Sequence, residues 1–417
     1  MFRAASCPMP ICPGTDMPAA IKVSNQDQVI AAVRAAHADG SGLEIVAGGT
    51  RRAVGRPMAA ANGQPLTVLD VAGLSGIVKY EPEELIITAA PATPLTEIVQ
   101  TLAAKNQRLG FDPADWAPLL GSTGAGTLGG ALSANAAGSG KLRHGPARDS
   151  LLGFHGVNGI GQAFRGGSRV VKNVTGFDLP KLVCGAFGTL VVLTEVTFRV
   201  YPRPSHAVTL CLADMTPDDG FAALRRIGHS ALEPAGLAYV PAAMLAGAGL
   251  AANGAGAALI RLEGAPKPLE EKIAMAHGLL GHAHVTRIEA GDTLFARIGA
   301  GTLFAKEDVE SGDAQDDIWR VMIAPADAPR LAHELNMTRW LGDWGGGLLW
   351  LAAPAHDGAR IRAAAAAVGG VAMLLRAAPQ QRAALGLYAP PPPVLAALTA
   401  RVKAAFDPLS LFNPGRL

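Results

Sequence analysis

GGSRVVKNVTGFDLPKLVCGAFGTLVVLTEVTFR, residues 166–199, joins a Lys-Asn-x-Thr-Gly-x-Asp-Leu turn at 172–179 to a Gly-x-Phe-Gly-Thr-Leu turn at 185–190 and a β-branched exit. Glycine at such spacing lets backbone N–H groups come close to a large anionic ligand, as a pyrophosphate-bearing cofactor requires. Gly176, Gly188 and Thr189 are the backbone candidates, and Lys172 and Asp178 are the charged groups of the turn. Both charged residues also have plain structural readings. Lys172 can be a solvated strand end, and Asp178 can cap a helix that starts at Leu179.

Outward from this stretch, further glycine clusters stand at 47–51 and 121–130, beside Gly176 and 185–189. One such cluster is as readily a tight turn where only glycine tolerates positive φ. Four in one domain point to a cradle for phosphates. None is a Walker A sequence, and no G-x-G-x-x-G opens a helix directly after a strand, so neither a P-loop nor a Rossmann site is expected.

Together these segments resemble those that enclose FAD in the vanillyl-alcohol-oxidase or PCMH-type flavoproteins, and within them the FAD-binding E subunits of glycolate oxidases. The run from Val46 to Arg52 resembles the family's pyrophosphate loop, usually Arg-Gly-Gly-Gly-Ser/Thr-Lys, with Val46 in place of the arginine and Ala47 in place of the first glycine. Gly48, Gly49 and Thr50 remain as donors, and Arg51 can offset negative charge. Thr127, Gly129, Gly130 and Ser133 match the second flavin-contacting loop. Arg143-His-Gly-Pro-Ala-Arg-Asp149 matches Arg-Tyr-Gly-x-x-Arg-Asp except that His144 replaces the aromatic residue. His144 is a candidate acid/base, or a histidine packed beside the cofactor or facing solvent. Lys172 can place a cation near flavin N1 or O2, where negative charge gathers on reduction. The run from Lys403 to Arg416 matches the family's C-terminal Phe-Asp-Pro-x-x-Ile/Phe-Asn-Pro-Gly-Arg, which implies that Asn413 lies by the flavin ring.

Two absences refine this expectation. Related catalytic 2-hydroxyacid dehydrogenases carry a His-x-Gly-Asp-Gly-Asn-x-His metal segment, whereas the comparable place here, 340–350, holds Asp343 among tryptophans and glycines and no histidine. A divalent site needs several N or O ligands, so no metal is expected. Arg51 and Arg52 stand where covalent relatives place a histidine, so FAD is expected to be noncovalent. The resemblance implies an FAD carrier and electron-relay subunit that works beside a homologous catalytic flavin subunit and an iron–sulfur subunit, with glycolate or another D-2-hydroxy acid as substrate of the complex. Alternatives are a self-sufficient dehydrogenase using His144 or Lys172, and a noncatalytic assembly subunit that has lost FAD.

Composition agrees with a large folded enzyme component. The 417 residues exceed what one core usually serves, and 49% hydrophobic with 17% charged residues favours a well-buried globule. A net charge of +2 with no basic-aromatic block excludes nucleic-acid binding as a sensible reading. Four cysteines without a C-x-x-C pair indicate neither a disulfide framework nor an iron–sulfur site of its own. The opening residues are broken by prolines before an apolar signal region develops, and the uncharged run 234–260 is mostly Ala and Gly, read as strands 236–240 and 257–262 around a loose loop. The expected location is the cytoplasm, with membrane contact only peripheral, at the inner face, through partners.

The expected fold is α+β in three parts: a two-lobed PCMH-type FAD domain at 1–204, a smaller ferredoxin-like domain at 205–389, and a helix and tail at 390–417 returning to the FAD domain. In the first part the pattern gives a helix at 29–37, strands at 43–46, 66–70, 76–80 and 85–89, and a helix at 94–105 with Thr93 as its N-cap. In the second, strand 206–212, helix 218–227, strands 236–240 and 257–262, helix 269–280 and strand 284–288 give the order β-α-β-β-α-β. A further round follows with strands at 317–324, 346–351 and 371–375 and helices at 327–335 and 359–368, before an amphipathic helix at 394–406.

Overall fold

Among the described residues, three sheets organise the chain. The computed structural model describes residues 20–59, 66–169, 177–251, 254–281, 285–305 and 316–417. The first sheet is parallel: Thr67–Asp70 lies between Ala20–Lys22 and Leu43–Val46. Its helix, Gln26–Asp39, starts where the Asn25 side chain accepts from the Gln28 amide and ends at Gly40 in the left-handed region. Val29, Ala32, Val33 and Ala36 form its buried stripe and pack with Leu43 and Leu69. Leu411 and Phe412 of the C-terminal tail complete that core, so residues nearly four hundred positions apart share it.

The second sheet is antiparallel, with Ile77–Glu81, Ile86–Ala89, Val192–Pro202, Leu151–Val157 and Ala163–Gly167 in that spatial order and Gln107–Leu109 also pairing with Val192–Pro202. Val192–Pro202, the exit of the 166–199 stretch, is thus the strand on which this lobe is assembled. Thr93 does not cap the helix Leu95–Ala103, as the sequence suggested. Its hydroxyl instead joins the Gly76 amide to the carbonyls of Gly76 and Ala90, tying the turn before Ile77–Glu81 to the turn after Ile86–Ala89.

The third sheet has eight antiparallel strands. His206–Ala213, Gly236–Pro241, Gly256–Gly264 and Val285–Ile288 form one β-α-β-β-α-β unit, and Asp317–Met322, Arg339–Asp343, Leu348–Ala353 and Val371–Arg376 form a second. Each unit has spatial order 4-1-3-2, and the two join where Gly236–Pro241 meets Arg339–Asp343. Pairing second strand to second strand covers one open edge of each unit. The sequence reading contained the first unit and most of the second but no strand at 339–343.

Alternation along these strands sorts the sheet's two faces. Leu237 and Tyr239 lie in the core under the helices, whereas Ala238 and Val240 lie in a core shared with Val54, Trp116, Ala134 and Phe187 of the first lobe. Gly236–Pro241 and Gly256–Gly264 occupy the uncharged 234–260 run, joined by the short helical turn 242–248. Among the described residues no helix is long and apolar enough to cross a membrane. The C-terminal helix, Pro393–Phe406, buries no residue and leaves Val394, Leu395 and Leu398 exposed, so it lacks the buried face expected of it. The tail after it is buried at Asp407, Leu411, Phe412, Asn413 and Arg416.

Candidate functional site

The first glycine loop opens at the carboxyl end of Leu43–Val46, and its geometry explains the glycines. A Cβ on Gly48 would sit 1.9 Å from the Ala125 carbonyl oxygen, and one on Gly124 1.9 Å from the Gly48 oxygen. The first and second loops therefore touch backbone to backbone. Gly49 has φ +69°, a conformation that favours glycine. Among the described residues, the amides of Gly48, Gly49 and Thr50 donate to no protein acceptor.

In the second loop Thr127 caps the short helix Leu128–Ser133 by accepting from the Gly130 amide at 3.2 Å, and the Gly129 amide donates to Pro91 O at 2.7 Å. These two amides are engaged inside the protein, so Gly129 and Gly130 serve as thin wall. The Gly185–Thr189 turn brings Phe187 and Gly188 to the same side, its Phe187 amide donating to Ser133 O at 2.8 Å. A Cβ on Gly188 would lie 2.7 Å from Asn413 Nδ2.

Asn413 holds three segments together. Its Oδ1 accepts from the Ile45 amide at 2.9 Å and its Nδ2 donates to Phe187 O at 2.8 Å. The resulting cavity is walled by Gly48, Gly49, Thr50 and Arg51, by Thr127, Gly129, Gly130 and Ser133, and by Gly188 and Asn413.

Two guanidiniums dominate its electrostatics. Arg51 is buried, donates through Nη2 to Ala114 O at 3.0 Å and lies over the Trp116 ring at 5.4 Å, while its Nε has no acceptor. Arg416, also buried, donates to Arg51 O and likewise leaves Nε unpaired. Burial lowers both to about 10, against a raising influence of Asp115 on Arg51 and of Glu44 on Arg416. Neither forms an ion pair among the described residues. Buried cations without an ion-pair partner, beside amides without a protein acceptor, are the kind of donor set that suits an anion. Arg52, by contrast, is already held by Glu44 through a two-pronged pair at 2.6 and 2.5 Å. The remaining wall includes Pro91, Phe187, Val191 and Leu193, an apolar surface suited to a planar ring.

Not every residue singled out in the sequence reaches this wall. Asp178 caps Leu179–Val183, accepting from the Lys181 amide at 3.4 Å and pairing with the Lys181 ammonium, and its side chain is half exposed. Thr189 turns inward, its hydroxyl donating to Ala186 O at 2.7 Å. Lys172 and Gly176 lie outside the described residues. His144 ends the helix Lys141–His144 and lines a different cavity, with its ring nitrogens 2.7 and 3.0 Å from the Arg108 guanidinium and its Nε2 3.5 Å from Glu263. Arg416 was missed, although it closes the same Asn-Pro-Gly-Arg run that drew attention to Asn413. Spacing in the tail does not convey that this arginine returns beside Arg51.

In the second domain Asp343 is fully buried, accepting from Ser139 Oγ at 2.8 Å and from the Trp344 amide at 2.7 Å. Burial pushes its carboxyl up to about 7. Among the described residues no group of three or more His, Cys, Asp or Glu side chains is placed to hold a metal. Cys184 is buried, its thiol pushed up to about 12 by desolvation, which makes it a poor nucleophile.

Comparison with known proteins places these features in context. A family model described as an FAD binding domain matches residues 17–167. The glycolate oxidase subunit GlcE of Escherichia coli (strain K12) is 30% identical over 391 residues, 92% of this chain and 95% of that one. The D-2-hydroxyglutarate dehydrogenase of Stutzerimonas stutzeri (strain A1501) is 30% identical over 192 residues, 46% of this chain and 39% of that one. Among solved structures, p-cresol methylhydroxylase with substrate bound has a TM-score of 0.66 at 15% identity, covering 95% of this chain and 88% of its own. The 4-ethylphenol oxidase from Gulosibacter chungangensis gives 0.67 at 15% identity over the same shares. These two structures share the fold: an FAD-binding part followed by a second α+β part.

Proposed function

The chain belongs to the FAD-linked oxidoreductase family of glycolate oxidase subunit GlcE, and from that premise we propose that it holds FAD noncovalently as the carrier and relay subunit of a D-2-hydroxyacid-oxidising complex. The observation that carries this reading is the pair of buried guanidiniums, Arg51 and Arg416, which line the same cavity as the free amides of 48–50 and have no ion-pair partner among the described residues. A diphosphate supplies the missing negative charge and acceptors. The residues fit the group: the amides of 48–50 donate to no protein acceptor among the described residues and line the cavity beside Arg51 and Arg416, and the apolar side of the cavity excludes water from a flat ring. When bound, FAD supplies a reversible two-electron acceptor. Arg51, Thr50 and Gly48 bind the diphosphate, while Asn413 fixes the walls on either side of it.

The carrier role is favoured over self-sufficient catalysis by what surrounds the cavity. His144 is on another cavity, and Asp343 is enclosed with its oxygens engaged. A homologous catalytic flavin subunit and an iron–sulfur subunit complete the complex in this reading, with glycolate or another D-2-hydroxy acid oxidised at the catalytic subunit. The complex works in the cytoplasm, touching the membrane only through those partners.

Purified chain is expected to be yellow, to release all its FAD on acid precipitation, and to gain thermal stability when apoprotein is given FAD. Its flavin absorbance is expected to persist when glycolate or D-lactate is added to the isolated chain. Bleaching would assign catalysis to this chain itself. Colourless protein that gains nothing from FAD would leave only an assembly role.

A further inference from the structure

A second cavity opens at the seam between the two domains. Arg108 and Arg143 reach it from the first lobe, Arg203 from the connection into His206–Ala213, and Lys272 and Glu263 from the first β-α-β-β-α-β unit. Four fixed cations in this wall, Arg108, Arg143, Arg203 and Lys272, face the carboxylates of Glu233 and Glu263. Arg143 is paired with Glu233 at 2.8 Å. Glu263 is divided between Arg108 at 3.5 Å, Arg261 at 3.0 Å and His144 at 3.5 Å.

That leaves the wall short of negative charge. Arg203 has no side-chain partner among the described residues, and Lys272 Nζ contacts only Glu263 O, at 3.3 Å. Burial lowers the Arg108 pKa, so its charge is held in a poorly solvated place. Arginine forks from several directions suit an oxyanion with acceptors on more than one side, better than a single carboxylate.

We propose that this interdomain cavity binds a small divalent oxyanion of the phosphate class, held by Arg108, Arg143, Arg203 and Lys272. Its ligands come from both sides of the 202–204 connection, so the bound anion ties the first lobe to the helix Pro266–Leu280 of the second domain. The site is separate from the flavin cavity, with which it shares no lining residue.

The test is calorimetric titration of the full chain, with and without added FAD, with inorganic phosphate, with glycerol 1-phosphate, and with chloride at matched ionic strength. Phosphate is expected to bind with one-to-one stoichiometry and to raise the melting temperature beyond chloride. Tighter binding of glycerol 1-phosphate would identify a monoester as the ligand, and tighter binding of phosphate the free ion. Arg203→Ala and Lys272→Ala are each expected to weaken binding about tenfold, as loss of a charge-assisted contact does. Arg287→Ala, on an exposed pair with Glu270, is the control and should leave binding unchanged. Phosphate that binds no better than chloride, or binds equally to the Arg203→Ala and Lys272→Ala variants, would overturn the proposal. Because the variants locate the anion, the result stands whether or not the first cavity holds FAD.

Discussion

Arg51 and Arg416 each carry a charge out of water without a carboxylate to meet it, so removing that charge should tell more about the ligand than about the fold. Arg51→Gln and Arg416→Gln are each expected to lower FAD affinity by roughly tenfold or more, the usual consequence of losing a charge-assisted contact. Fluorescence titration of apoprotein measures this, and unchanged affinity in both variants would remove the electrostatic basis of the site. Gly48→Ala acts differently, because its methyl meets the Ala125 carbonyl oxygen at 1.9 Å. The two loops must separate, at a cost of about 1–3 kcal/mol, and the apoprotein itself should melt lower. Asp343 is a case of pH linkage. Burial raises its carboxyl from the ordinary 3.8 to about 7, so between those values the folded chain keeps a proton that the unfolded chain releases. Stability from this group is greatest at low pH and falls as pH rises toward 7. Asp343→Asn removes the dependence, so its melting temperature relative to the parent should improve steadily between about pH 4 and pH 7.5. A constant difference across that range would mean that the carboxyl is ionised throughout.

At the scale of elements, the tail after Pro393–Phe406 shows how a few bonds position a distant wall. Asp407 accepts from the Leu411 and Phe412 amides at 3.0 and 2.8 Å and pairs with Lys403 at 2.6 Å. Those bonds fold the chain back so that Leu411 O receives the Leu43 amide at 2.7 Å and Asn413 reaches Ile45. Asp407→Ala should cost roughly 3 kcal/mol and lower FAD affinity as well, although Asp407 does not line the cavity. A lower melting temperature with unchanged FAD binding would show that the tail is a brace and no more. Much of this site was legible beforehand: the glycine loops at 48–50 and 127–130, Gly188 and Asn413 all stand in one wall. What escaped was set by long-range geometry. Thr93 precedes a helix and has a capping residue's chemistry, yet a neighbouring turn claims its hydroxyl. Arg339–Asp343 lies between Asn336 and the 345–347 glycines, too short and interrupted for alternation to mark it as a strand. Asp178 takes the helix-capping role allowed for it, which leaves it off the wall.

In the whole molecule, the segment after the second glycine loop is clasped by the far sheet. Ser139 Oγ donates to Asp343 at 2.8 Å, Trp344 Nε1 donates to Gly138 O at 3.0 Å, and Arg320 Nη2 to Ala137 O at 3.4 Å. Arg320 itself is buried against the rings of Trp116, Trp344 and Trp350 at 5.3, 5.3 and 5.0 Å, contacts worth about 0.5–2 kcal/mol each when desolvated. Trp116 also lies under Arg51, so the first cavity's arginine and the second domain share one aromatic residue. Such a shared core predicts that the two domains melt as one unit and that FAD stabilises both, by about 2.7 kcal/mol at a hundredfold excess over its dissociation constant. Trp344→Ala tests the coupling from outside the cavity. It removes the bond to Gly138 and one side of the Arg320 enclosure, at an expected cost of about 3–5 kcal/mol. If the clasp holds Gly129, Gly130 and Ser133 in register, FAD affinity should fall with stability, and calorimetry should resolve a second transition as the sheet separates from the flavin lobe. Full FAD affinity with a single lowered transition would show instead that the cavity wall is held within its own lobe.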